Sequence, residues 1–287
     1  MRTATHTFTL DTFFCKKFLQ KAVYSLSKSI LDIERFKKIA PAGYVPNSNL
    51  AAIQYVYSLL KKSHRNEFFF KNTIFNHFVT DYKIKNGTYP SIQNEMPVAA
   101  SITDLIVTEK GKSSEVLEIK SECDSFDRLA SQLPDYYKVF RKVSLVTGEK
   151  LFKKAKERFG DSQLGLYVID SNGEFYKERE PEERHDLISK REIFRCLRKP
   201  EYLKILHEHY DRVPTFKESP MTNYNDLCEL FCRLDKQTIN KHLDEVMAQR
   251  FYRVKDLIKV PYELRSIYYF GKLTRIERGR LLNFLEK

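Results

Sequence analysis

The chain has 287 residues, of which 42% are hydrophobic and 31% are charged, so it can bury one sizeable core and is not a disordered protein. Its formal charge of +12 favours a polyanionic partner, and we expect nucleic acid rather than a membrane. Five scattered cysteines predict no disulfide framework, which fits a cytoplasmic protein. The N-terminus has no unbroken apolar core, so no secretory signal is predicted. No stretch approaches the roughly 18 apolar residues that span a bilayer.

The charge is unevenly distributed along the chain. Its net value is +8 for residues 1–66, −2 for residues 67–184 and +6 for residues 185–287. We interpret this division as a basic helical N-terminal extension, a core and a basic helical C-terminal region. An acidic core with basic flanks suits an enzyme whose flanks hold phosphates. The alternative, that the flanking lysines only keep the protein soluble, stays open.

Residues 11–38 alternate apolar and basic residues at helical spacing, which predicts a basic amphipathic helix. Its basic residues include Lys16, Lys17, Lys21 and Lys28. One interpretation is a helix packed on the core with a solvated lysine face. The other is a helix whose lysines contact nucleic acid.

A second helical stretch runs from Asn49 to Thr80, in two pieces that meet near Ser63 to Asn66. Asn66 is a suitable N-cap for the second piece, because its short side chain can accept a hydrogen bond from a free backbone N–H group. Glu67 then falls in the first turn. Helix N-termini favour a carboxylate there whether or not it takes part in chemistry.

Residues 101–121 predict a β-hairpin. Ser101 to Thr108 is rich in β-branched residues, a polar turn surrounds Gly111, and residues 115–121 return as a second strand. Ile92 to Val98 is predicted to form the strand before it. The hairpin would be the centre of the sheet.

The hairpin brings two carboxylates and a lysine together. Side chains alternate faces along a strand, so Glu118 and Lys120 point the same way, and Asp104 can join them from the neighbouring strand. The two carboxylates offer hard oxygen ligands to magnesium or manganese. Lys120 beside such an ion could orient or help deprotonate the attacking water, and could stabilise charge on a phosphate. The plainer interpretation is that acid-x-lysine triplets arise by chance, as the triplet at residues 81–83 does.

The segment after the hairpin, Ser125 to Arg141, is predicted to be helical with Arg128, Gln132 and Tyr136 along one face. Gln132 and Tyr136 could both contact a substrate phosphate. Pro134 lies inside the same helix and is expected to kink it.

The remaining sequence predicts a crossover and then helices. Strands over Lys142 to Thr147 and Gln163 to Asp170 flank a basic helix over Glu149 to Phe159, so the sheet is expected to be mixed. The charge run at residues 178–184 is predicted to end the core. Residues 222–250 predict two short helices, which could form a helix-turn-helix, but any helical bundle would give the same pattern.

Together these residues resemble the PD-(D/E)XK nuclease superfamily, whose pattern is an acid on one strand and (D/E)-x-K on the next. The resemblance covers residues 67–148, and it extends to a glutamate on the preceding helix and a Q-x-x-x-Y signature on the following one. The matching residues are, in chain order, Glu67, Asp104, Glu118, Lys120, Gln132 and Tyr136. Thr103 stands where the superfamily's name has a proline, which many members also lack.

The resemblance implies an α/β, restriction-endonuclease-like core, with a mixed central sheet flanked by helices, between helical N- and C-terminal extensions. It also implies a bound Mg²⁺ or Mn²⁺ ion. The implied metal ligands are Asp104, Glu118, Glu67 and the backbone carbonyl of Ile119. The implied catalytic residues are Asp104, Glu118, Lys120, Glu67, Gln132 and Tyr136.

The sequence therefore predicts a divalent-metal-dependent nuclease that hydrolyses phosphodiester bonds, with DNA as its partner. A homodimer and a role in phage defence or DNA repair are left open. Two other classes also stay open. One is a nucleic-acid-binding module of the same fold without catalysis, and the other is a helical adaptor that binds protein through residues 185–287.

Overall fold

The computed structural model describes residues 10, 13–24, 36, 39–41, 43–81, 89–122, 124–213, 220–250 and 257–287. Within these ranges the strands are β1 (Ser91–Asn94), β2 (Pro97–Val98), β3 (Ser101–Ile102), β4 (Leu105–Thr108), β5 (Glu115–Lys120), β6 (Lys142–Gly148), β7 (Gly165–Ile169) and β8 (Phe175–Arg179). Six of the described strands form one mixed sheet in the order β1-β4-β5-β6-β7-β8, and β2 and β3 pair separately.

Helices cover both faces of this sheet. Those in the described ranges are α1 (Lys16–Tyr24), α2 (Asn49–Ser63), α3 (Glu67–Asn76), α4 (Leu129–Tyr137), α5 (Glu149–Phe159), α6 (Lys190–Cys196), α7 (Lys199–His209), α8 (Pro220–Cys232), α9 (Lys236–Gln249), α10 (Arg265–Phe270) and α11 (Arg275–Leu285). A π-helical segment, His77–Asp81, continues α3, and short 3-10 helices cover Leu257–Lys259 and Tyr262–Leu264. The predicted α/β class with a mixed sheet between helices is confirmed. None of the described helices is long and apolar enough to cross a membrane.

The predicted central hairpin is confirmed. Strands β4 and β5 pair antiparallel, with Leu105 opposite Leu117 and Ile106 opposite Val116. Gly111 lies in the turn with a φ of 81°, a conformation that glycine adopts without steric cost. Because side chains alternate along each strand, Leu105 and Leu117 face one layer of helices, and Ile106 and Val116 face the other.

The strands predicted over Ile92 to Val98 and Ser101 to Thr108 are each interrupted, which corrects the prediction of two continuous strands. Glu95 has a φ of 52°, so the chain turns between β1 and β2. Backbone bonds still cross the break, since the Glu95 N–H donates to the Asp104 carbonyl at 3.2 Å and the Thr103 N–H to the Met96 carbonyl at 3.0 Å. Asp104 therefore lies where the hydrogen-bond ladder between the two strand segments is irregular. Such irregularities are frequent next to active sites.

The predicted crossover is confirmed, because β6 runs parallel to both β5 and β7 and α5 lies between β6 and β7 in the chain. The antiparallel edge strand β8 was not predicted. Helix α4 is shorter than predicted: it begins at Leu129 after a turn closed by the Leu129 N–H and the Phe126 carbonyl, and it keeps Pro134 in its interior.

A first hydrophobic cluster covers one face of the sheet. It joins Leu105 and Leu117 of the hairpin to Val56 of α2, Phe70 of α3 and Leu281 of α11. The N- and C-terminal regions therefore pack on the same face and against each other. Polar contacts add to this packing, as the Asn49 side chain donates to the Phe284 carbonyl at 2.7 Å.

A second hydrophobic cluster covers the opposite face. It joins Ile106 and Val116 of the hairpin to Tyr136 of α4, Phe194 of α6 and Leu243 of α9. Each cluster contains residues from both sides of a predicted boundary: the first spans residues 66/67 and 184/185, and the second spans residues 184/185. The predicted regions therefore share their hydrophobic cores. The division into three regions stays a prediction.

The predicted N-terminal basic helix is described in part, as α1. Phe14 and Ala22 are buried, as their spacing predicts, and Lys17 is exposed. The side chains of Lys16 and Lys21, and all of Lys28, lie outside the described residues.

Two glycines offer a matched test of the packing between β6 and β7. Gly165 lies opposite Ser144, and an added Cβ there would meet the Ser144 hydroxyl and lie 2.9 Å from Pro181 Cδ. We predict that Gly165→Ala lowers the free energy of unfolding by roughly 1–3 kcal/mol through overpacking. Gly279 lies on an exposed part of α11 with no atom within 4 Å of an added Cβ. Gly279→Ala should raise the same quantity by about 0.5–1 kcal/mol in urea titrations. Equal effects of the two changes would contradict this packing.

Candidate active site

The break before β4, the end of β5, α3 and α4 surround an acidic pocket of about 440 Å³. It brings together most of the predicted site residues. Those that line it are Glu67, Asp104, Glu118, Ile119, Lys120 and Gln132. Residues up to 65 positions apart in the chain, Glu67 and Gln132, thus meet because α3 packs on the sheet beside the central hairpin.

The predicted shared face of Glu118 and Lys120 is confirmed. Lys120 Nζ lies 2.6 Å from Glu118 Oε1, and the side chains are only 7% and 1% exposed. Lys120 Nζ is also 3.4 Å from the amide oxygen of Gln132, on α4. The ion pair is therefore fixed between the sheet and α4.

Tyr136 also lies on α4, but it is fully buried. Its hydroxyl is 2.7 Å from Glu118 Oε2 and 2.8 Å from the Ile102 carbonyl, and it accepts a bond from the Gln132 amide at 3.1 Å. Burial and the nearby charge of Glu118 raise the pKa of Tyr136, which keeps it a donor. In this position the buried Tyr136 holds a carboxylate in place, whereas the sequence prediction has it contact a phosphate.

Asp104 connects the break in the strands to β5. Its Oδ2 accepts the Ile119 N–H bond at 2.7 Å. Burial and then the charge of Glu118 raise the pKa of Asp104 from 3.8 to about 7. Two carboxylates held together away from water repel each other, and either a proton or a cation relieves that repulsion.

Glu67 reaches the pocket from the first turn of α3, as predicted, because Asn66 caps that helix: the Asn66 side chain accepts the Phe69 N–H bond at 3.1 Å. Glu67 is, however, paired with Lys71, at 2.5 Å. Lys71 also lies 3.3 Å from Glu95 and 4.0 Å from Asp104.

Lys71 was not predicted as a site residue. Burial alone would lower the pKa of Lys71, but the charges of Glu67, Asp104 and Glu95 outweigh it and raise the pKa. The sequence signal that could have found it is its position four residues after Glu67 on one helix, where acid and base side chains meet.

A larger cavity of about 740 Å³ adjoins the acidic pocket, and Glu67 lines both. Phe14, Phe68 and Phe270 give it apolar walls, and Asn66 and Lys272 give it polar groups. An extended substrate that reaches the acidic pocket would find space there.

The residues fit a magnesium or manganese ion, which binds through one or two carboxylates and keeps waters and substrate oxygens as its other ligands. Asp104 and Glu118 supply two carboxylates, and a bound cation would relieve the repulsion that, with burial, raises the pKa of Asp104. Across the part of the chain that the structure describes, no three His, Cys, Asp or Glu side chains group in a way that would hold a metal ion. Glu67, the third predicted carboxylate, is paired with Lys71.

Thr103, at the place of the superfamily's proline, is buried and bonds Met96 through its side chain and backbone. Of the competing triplet at residues 81–83, the last two residues lie outside the described ranges.

Comparison with known families gives one finding. The family model described as Bacteriophage P4 protein cII matches residues 61–269. No curated protein and no solved structure gives a significant match. The matched range includes every predicted site residue, from Glu67 to Tyr136.

The raised pKa of Asp104 predicts a pH effect on stability. The folded-state pKa of about 7 exceeds the ordinary value of 3.8, so the folded state binds this proton more tightly than the unfolded state. The resulting stabilisation is complete below the ordinary pKa and is lost as the pH rises through the folded pKa. In chelator, the melting temperature of the natural protein should therefore fall relative to that of Asp104→Asn between about pH 4 and pH 7. Exposed Asp211→Asn is the control and should follow the natural protein. Parallel curves for Asp104→Asn and the natural protein would contradict the prediction.

Proposed function

We propose that this chain, which belongs to the family described as Bacteriophage P4 protein cII, is a divalent-metal-dependent nuclease that hydrolyses phosphodiester bonds, in DNA, on a restriction-endonuclease-like core. The observation that carries the proposal is the meeting of Asp104 with the buried Glu118–Lys120 pair across the β4–β5 hairpin. An acid from one strand and an acid-x-lysine pair from the next are the groups that such a reaction needs.

In this proposal Asp104, Glu118 and the Ile119 carbonyl hold Mg²⁺ or Mn²⁺. The ion would supply Lewis-acid activation of the phosphate and of the attacking water. Hydrolysis adds water across the ester: the water oxygen bonds to phosphorus, the bond to the leaving oxygen breaks, and the leaving oxygen takes up a proton. Lys120 lies beside this reaction and stabilises the negative charge that develops on the phosphate.

The other polar residues of the site position Glu118. Tyr136 and Lys120 each hold one oxygen of Glu118, which fixes the carboxylate plane. Gln132 bonds both Tyr136 and Lys120, so it links the two supports. Since Gln132 also lines the pocket, it can contact a substrate oxygen, which Tyr136 cannot.

Energetics favour a functional interpretation of the ion pair. Burying a carboxylate and an ammonium costs several kcal/mol for each ion, and apolar residues of similar size usually give equal or greater stability. The neighbours of the pair in β5, Val116, Leu117 and Ile119, are buried and apolar. An ionic pair in this strand therefore calls for a role beyond folding. Asp104, whose pKa is raised, lines the same pocket, as acids with perturbed pKa values in active sites do.

The two alternatives are less well supported. A non-catalytic binding module has no need to keep Asp104, Glu118 and Lys120 together. A helical adaptor would present the apolar faces of residues 185–287, but Phe194, Leu206, Phe231 and Leu243 are buried in the second hydrophobic cluster. In the described parts of those helices, these large apolar side chains are therefore not free to bind a partner.

Removing the lysine tests the chemistry. We predict that Lys120→Ala lowers the rate of magnesium-dependent cleavage roughly 10²- to 10³-fold, because one donor to the transition state is lost, and leaves DNA binding nearly unchanged. Lys112→Ala, at an exposed position in the turn of the same hairpin, is the matched control and should cleave normally. Gel assays of plasmid nicking give the rates. Near-normal cleavage by Lys120→Ala would remove the lysine from the mechanism.

The basic N-terminal region tests how DNA is held. If its lysines contact phosphates, replacing Lys16, Lys17, Lys21 and Lys28 by glutamine should reduce the slope of log affinity against log salt by about 0.9 per lost contact on duplex DNA. Binding to all sequences should weaken alike. Neutralising Lys153, Lys154 and Lys156 on α5 is the control and should matter less. An unchanged slope in a folded fourfold variant would assign DNA binding to another surface.

A further inference from the structure

Lys71 is the least expected charge at the site. It lies one turn after Glu67 on α3, and its side chain is only 11% exposed. Three carboxylates surround its ammonium, Glu67 at 2.5 Å, Glu95 at 3.3 Å and Asp104 at 4.0 Å. A buried lysine with three acidic neighbours is held in one place.

The two oxygens of Asp104 face different partners. Oδ2 accepts the Ile119 N–H bond on the β5 side, whereas Oδ1 is the oxygen nearest Lys71. One oxygen of Asp104 is thus nearest the Lys71 ammonium, and the other is next to β5, which carries the Glu118 that we assign to a dication. Nucleases with two metal ions hold them about 3.5–4 Å apart with groups between them. Lys71 occupies the side of Asp104 where a second ion would bind.

The charges around the pocket agree with this arrangement. The acidic side chains at or beside it number five, and the basic ones three. The acidic side chains are Glu67, Glu95, Asp104, Glu118 and Asp124. The basic ones are Lys71, Lys120 and Arg128. The surplus of two negative charges is neutralised by one dication and would be exceeded by two.

We propose that Lys71 is a built-in cation that takes the place of a second metal ion, so that the pocket binds a single dication. The proposal rests on the proposed function, because it takes Asp104 and Glu118 as the ligands of that ion. Lys71 is a positioning residue: its charge is taken up by Glu67 and Glu95 and is not free to bind a phosphate. Glu67 in turn serves Lys71 and is not itself a metal ligand.

The test is the number of Mn²⁺ ions bound, measured by isothermal titration calorimetry and by electron paramagnetic resonance without substrate. The natural protein should bind one ion. Lys71→Met keeps the length of the side chain and removes the charge, so we expect it to bind two, with Lys71→Gln as a second neutral variant. Lys71→Arg keeps the charge and should bind one. Exposed Lys62→Met, on α2, is the matched control and should also bind one.

A double variant locates the added ion. Lys71→Met combined with Glu67→Gln should return the count to one, because the new ion would need the carboxylate that Lys71 releases. Circular dichroism confirms that each variant is folded.

The outcomes separate this inference from the proposed function. One ion in the natural protein and still one in folded Lys71→Met or Lys71→Gln overturns the role of Lys71 and leaves the nuclease proposal standing. Two ions in the natural protein also overturn it, whatever the variants do. No bound ion in the natural protein contradicts the proposed function itself, and the role of Lys71 with it.

Discussion

The buried pair of Glu118 and Lys120 is the interaction on which the candidate site depends. It lies at the end of β5, beyond Leu117, the last residue that pairs with β4, and beside β6, where Glu118 lies opposite Leu145 and Lys120 opposite Thr147. Two charged groups remain there only because each has several partners: Lys120 contacts Glu118 and Gln132, and Glu118 is also bonded by Tyr136. Breaking such a network by removing one member leaves an uncompensated buried charge, which costs more than the network contributes to folding.

The rest of the fold holds this pair close to Asp104 and Glu67, around one pocket. The first hydrophobic cluster presses α3 onto the sheet and so sets the position of Glu67. The second cluster holds α4 against the opposite face and so sets Gln132 and Tyr136. The irregular ladder at Glu95 then brings Asp104 out of the strand and next to Ile119. Both terminal regions contribute to these clusters, so the same packing that forms the core also positions the site residues.

The sequence predicts the parts that depend on local rules. The Asn66 cap, the hairpin turn at Gly111 and helix α5 follow from side-chain hydrogen bonding, backbone freedom and periodicity. The interrupted strands do not, because Glu95 and Ala99 adopt positive φ values that tertiary contacts impose on residues that rarely take them. The buried position of Tyr136 and the contact of Lys71 with Glu95 likewise depend on how distant elements pack. Periodicity in one segment contains no information about such contacts.

The central claim is that this pocket hydrolyses phosphodiester bonds with a divalent ion. The most direct measurement is to incubate the pure protein with plasmid DNA, single-stranded DNA and RNA, in magnesium or in chelator, beside its Glu118→Gln variant. We expect cleavage of DNA in magnesium, and none in chelator or with Glu118→Gln. No cleavage of any substrate, or cleavage that survives both the chelator and the substitution, would contradict the account.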